Sequence, residues 1–139
     1  GFAHLYALRT INRGVSDASP GVLWIKAAVV YLVMGVGSGI YMGASGDHVM
    51  VPVHAHFNLL GWASLALVGL IYHQFPAAGS SRLATVQFWL HNIGLLAAMA
   101  LLVSALRGNT GLDPFLGLAS VIIGSAIVLF AINVFQRVR

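Results

Sequence analysis

Four apolar runs, each about as long as a bilayer is thick, leave this chain few folds to choose from. They cover residues 22–44, 53–75, 84–106 and 115–136. Each is close to the roughly 20 residues that carry a helix across a hydrocarbon core. The breaks between them, "SGDHVMVP", "PAAGSSR" and "RGNTGLDP", have turn compositions. The runs are continuous rather than alternating, and lipid tolerates no open sheet edge. Only 7% of the residues are charged, against roughly 25% in soluble domains. The expectation is an all-α protein: a four-transmembrane-helix bundle over 22–139, preceded by an interfacial segment over 1–21. That segment mixes apolar residues with Arg9 and Arg13 and has no apolar core of signal-peptide length. In "SDASP", Ser19 is the expected N-cap and Pro20 the first helical residue.

The charges predict an orientation. Arg9, Arg13, Lys26, Arg82, Arg137 and Arg139 fall on one side of such a bundle, and Arg107 alone on the other. The positive-inside rule then places both termini in the cytoplasm, and a bacterial inner membrane is the expected location. The cations form no cluster, so nucleic acid is not an expected partner. The chain has no cysteine, which excludes disulfides, thiolate iron–sulfur ligation and CxxCH haem attachment.

The chemistry rests on histidines. Of the six, His4, His48 and His73 lie in the N-terminal segment, a loop and a span end, while His54, His56 and His91 fall within spans. A polar group in the bilayer is costly without a partner. In "HAH" the two imidazoles are two residues apart, about 200° around a helix, so they face opposite sides and cannot chelate one ion together. His54 shares its face with Asn58, Gly61 and Leu65, and His56 with Leu60, Ala63 and Leu67. Gln87, His91, Gly94 and Ala98 make a polar-then-small stripe on the third span. Such stripes suit a haem slot or close helix packing, and spacing alone leaves both open. Gly35, Gly39 and Gly43 make a small-residue ridge on span one, as do Ser120 and Gly124 on span four.

The stretch "VHAHFNLLGWASLALVGLIYHQFP", followed by "FWLHNIGLL", resembles the catalytic subunit of the haem–copper oxidase superfamily. The pattern is similar to that of C-type cytochrome c oxidases and nitric oxide reductases. It covers Val53 to Leu96 well and spans one and four weakly. The resemblance implies haem b and an electron-transfer or diatomic-gas (O2 or NO) chemistry. It assigns His54 to a high-spin haem and His56 to a low-spin haem. His56 is the preferred axial ligand, then His54, then His91, with Met99 as another candidate and Asn58, Trp62 and Gln87 around them. The family's three copper histidines have no counterpart, and there is no glutamate, so proton pumping is not expected. His56 and His91 are expected at levels about 14 Å apart in a core of roughly 30 Å, which argues against their sharing one haem. A haem between protomers, in a homo-oligomer or a larger oxidase-like complex, is a further expectation. Two rival readings are a non-catalytic membrane subunit of such a complex and a copper site. The copper site would use Asp47, His48, His54 and His56, with Met42 and Met50 nearby.

Overall fold

A computed structural model describes residues 19–139. Among them are four helices long and apolar enough to cross a membrane. They are α1 (Gly21–Ser45), α2 (Val51–Gln74), α3 (Arg82–Leu106) and α4 (Asp113–Arg137). A 25-residue helix spans about 38 Å at 1.5 Å per residue, enough for the core and both boundaries. The described residues contain no strand. The protein is an all-α four-helix bundle and an integral membrane protein.

The bundle is built from two hairpins, α1 on α2 and α3 on α4, with sparser contact between α2 and α3. Large apolar side chains point outward, among them Val33, Ile40, Leu59, Leu67, Ile93, Val121 and Phe135. Glycine, alanine and polar residues occupy much of the interior: Ala28, Ala98, Ala126, Gln87, His91 and Asn133 are buried. Lipid offers no hydrophobic drive to bury leucine, so small residues that let backbones approach, and polar residues that bond across helices, hold such a bundle together. The aromatic part of the core is a cluster in which Trp24 meets Tyr72 and Phe88 edge-on, and Tyr72 meets Phe130.

The helix ends follow from local chemistry. Gly46, at φ 70°, stops α1 in the left-handed conformation, and its N–H bonds the Met42 carbonyl. Ser81 caps α3 by accepting from the Ala84 N–H. Pro114 sits in the first turn of α4 behind Asp113. The expected Ser19 cap is not formed. Pro20 is the N-cap of α1, and Ser19 contributes its backbone carbonyl to Val22 N–H while its hydroxyl has no partner among the described residues. Of the expected segment 1–21, residues 1–18 lie outside the described residues.

Helix α2 departs from regular geometry. Residues Phe57–Ala63 form a π-helix, entered from Val51–His56 and left at Ser64. Ser64 N–H and Oγ both reach back five residues to the Leu59 carbonyl. Gly61, within this segment, lies against Tyr31 of α1 so closely that a Cβ there would stand 2.6 Å from Tyr31 Cβ. A π-turn inside a helix widens the ladder and redirects carbonyls, and such turns concentrate at functional sites.

Candidate functional site

Both residues of the "HAH" pair lie in regular α-helix and, as expected, face opposite sides. His54 turns toward α1. Its Nδ1–H donates to the Gly35 carbonyl at 2.7 Å, and its ring rests on Gly39, where a Cβ would be 2.9 Å from Cε1. Asn58 Nδ2 donates to the His54 carbonyl and fills the space left by Gly35. The Gly35 and Gly39 part of the small-residue ridge thus makes room for the His54–Asn58 face. A Cβ on Gly43 or Gly124 would meet nothing within 4 Å among the described residues, so the ridges reach less far than expected.

His56 faces away from α1. Its Nδ1–H donates to the Pro52 carbonyl at 2.6 Å. A carbonyl only accepts, so both rings carry a proton on Nδ1, and in the neutral tautomer this selects, Nε2 holds the lone pair. Neither Nε2 makes a hydrogen bond among the described residues. Metal-bound histidines are oriented in the same way, with one ring nitrogen held by a carbonyl and the other left for the ion. His56 lines a cavity of about 290 Å³ between α2, α3 and α4, with Leu60, Ala98, Met99, Leu116 and Ser120. Met99 is buried there, while His56 and Ser120 are exposed at the rim.

His91 is fully buried and does not line that cavity. Its Nε2–H donates to the Leu60 carbonyl, inside the π-segment, at 2.8 Å, and its Nδ1 has no partner. The rings of His56 and His91 bond carbonyls eight residues apart on α2, Pro52 and Leu60, about 12 Å along a helix and close to the expected 14 Å offset. A short connection joins spans two and three. Its single turn, Pro76–Gly79, folds back on Tyr72, with Ala78 fully buried. Helix α3 therefore starts beside the last turn of α2.

Gln87 lies elsewhere, in a buried network that the sequence reading missed. Tyr72 O–H donates to Gln87 Oε1, and Asn133 Nδ2 donates to Tyr72 Oη and to the Ala78 carbonyl. Ser81 and Arg137 both donate to Asn133 Oδ1. One polar residue deep in the last span, Asn133, was the available signal. It ties α4 to α2 and to the connection. Replacing Asn133 by leucine removes four bonds and takes from the buried Tyr72 Oη the amide that donates to it. The expected loss is about 1–3 kcal/mol, read as a lower thermal midpoint in detergent. Trp62 packs half-buried against the core, outside the His56 cavity.

The loop between α1 and α2 does not assemble the copper cluster among the described residues. Asp47 pairs with Arg107 at 2.9 Å and accepts from Val49 N–H. That N–H, and then the Arg107 guanidinium, hold its carboxyl below the usual range. His48 is exposed and bonds the Gly46 carbonyl. No three His, Cys, Asp or Glu side chains come together for an ion among the described residues.

No protein-family model, curated protein or solved structure matches the chain.

Proposed function

We propose that this is a haem b-binding integral membrane protein, related in pattern to the haem–copper oxidase catalytic subunit, serving electron transfer or diatomic-gas chemistry. The observation that supports the reading most is the state of His56: Nδ1 is tied to the Pro52 carbonyl, and the unbonded Nε2 belongs to a ring that lines an apolar cavity containing Met99. His56 would be the axial ligand. His54, held in the same tautomer by Gly35, is the second candidate. His91 serves as a clamp on the π-segment. Bound haem would supply a one-electron couple or a coordination position for a gas. The chain's own contribution is ligand orientation and apolar walls, which tune haem iron.

The cavity is at the lower end of ligand pockets, which run from about 300 to 1,000 Å³, and is open at its rim. That favours a group shared with a neighbouring protomer or a larger complex. The orientation that goes with this reading has both termini in the cytoplasm of a bacterial inner membrane, on the side of Lys26, Arg82 and Arg137. The absorption spectrum of the detergent-purified protein, expressed with ample haem, tests the proposal. Reduced bands that carbon monoxide leaves unmoved would identify an electron carrier, and bands that shift would identify an open iron.

A further inference from the structure

A second cavity, of about 460 Å³, lies at the opposite end of the bundle from the "HAH" pair, where α1 and α3 both begin. Its polar lining is Ser19, Lys26, Ser80 and Thr85, and its aromatic lining includes Trp24 and Trp89. Lys26, Thr85 and Trp89 are exposed. The Ser19 hydroxyl is shielded yet makes no hydrogen bond among the described residues. Lys26, Arg82 and Arg137 are all at this end, whereas Asp47 and Asp113, the two aspartates among the described residues, are at the other. An ammonium and the Ser19 and Thr85 hydroxyls beside tryptophans, at the level where spans meet the interface, match the parts of a phospholipid. The ammonium and hydroxyls suit a phosphate, the indoles lie where aromatic belts lie, and the apolar walls suit the upper acyl chain.

We propose that this cavity is a binding site for an anionic glycerophospholipid, with Lys26 paired to the phosphate and the Ser19 and Thr85 hydroxyls donating to its oxygens. The site is independent of haem. Native mass spectrometry of the full chain, released from micelles holding equal phosphatidylglycerol and phosphatidylcholine of the same chains, tests it. Retention is expected to favour phosphatidylglycerol about fivefold, the effect of one lysine near an anionic headgroup. Lys26→Gln is expected to abolish that preference, and Arg107→Gln, a cation removed from the far end, to keep it. Circular dichroism of each variant checks that the helices persist. Equal retention of both lipids would overturn the proposal. So would a preference that survives Lys26→Gln, or displacement of the lipid by soluble glycerol 3-phosphate, which would mark a site for a free phosphate ester.

Discussion

His56→Ala is expected to lower haem affinity at least as much as loss of a group that orients a metal ligand, about 10- to 100-fold. The substitution removes the one imidazole whose ring lines the cavity beside Met99 and takes only the side-chain donor from the Pro52 carbonyl. It costs little in packing, because His56 is exposed at the rim. His91→Ala should behave in the opposite way. It strips the Leu60 carbonyl of its donor inside the π-segment, at an expected cost of about 1–3 kcal/mol, while haem affinity stays close to that of the unaltered chain. Haemin titration followed at the Soret band, alongside thermal unfolding, separates the two residues. Haem binding lost with His91→Ala and kept with His56→Ala would reverse the assignment.

Gly61→Ala is expected to destabilise the bundle by about 1–3 kcal/mol, the usual cost of overpacking. The added methyl would stand 2.6 Å from both Cβ and Cγ of Tyr31. Those atoms are the root of the side chain, so α1 and α2 must separate. Tyr31 also donates to Asn92 of α3, so the shift would reach a third helix. Gly37→Ala is the control. Its methyl would meet nothing within 4 Å, and a helix interior prefers alanine to glycine by about 1 kcal/mol. Unfolding in detergent should therefore show Gly61→Ala below, and Gly37→Ala at or above, the unaltered protein. Equal midpoints would contradict the close α1–α2 contact.

The four helices were legible because lipid imposes one rule on every span: a continuous apolar run of fixed length. The opposed faces of His54 and His56 followed from 3.6-residue periodicity alone. What was not legible depends on backbone groups. The partners of His54, His56 and His91 are the carbonyls of Gly35, Pro52 and Leu60, and a carbonyl has no letter in the sequence. The π-segment was equally hidden, since "FNLLGWA" reads as ordinary apolar helix. Gln87 was grouped with His91 because they share a stripe, yet its carbonyl oxygen bonds Tyr72, which belongs to the Asn133 network. Asn133 itself was readable as a polar residue in a long apolar run, but its partners come from distant parts of the chain.

The central claim is that an oriented imidazole at His56 serves a haem. The most direct measurement is the oxidised and dithionite-reduced absorption spectrum of the full chain, expressed with ample haem and purified in detergent. A Soret band with reduced α and β bands, present in stoichiometric amount and lost with His56→Ala, is the expected result. A folded helical protein with no Soret band under those conditions would contradict it, and the unbonded nitrogens of His54 and His56 would then need another ligand.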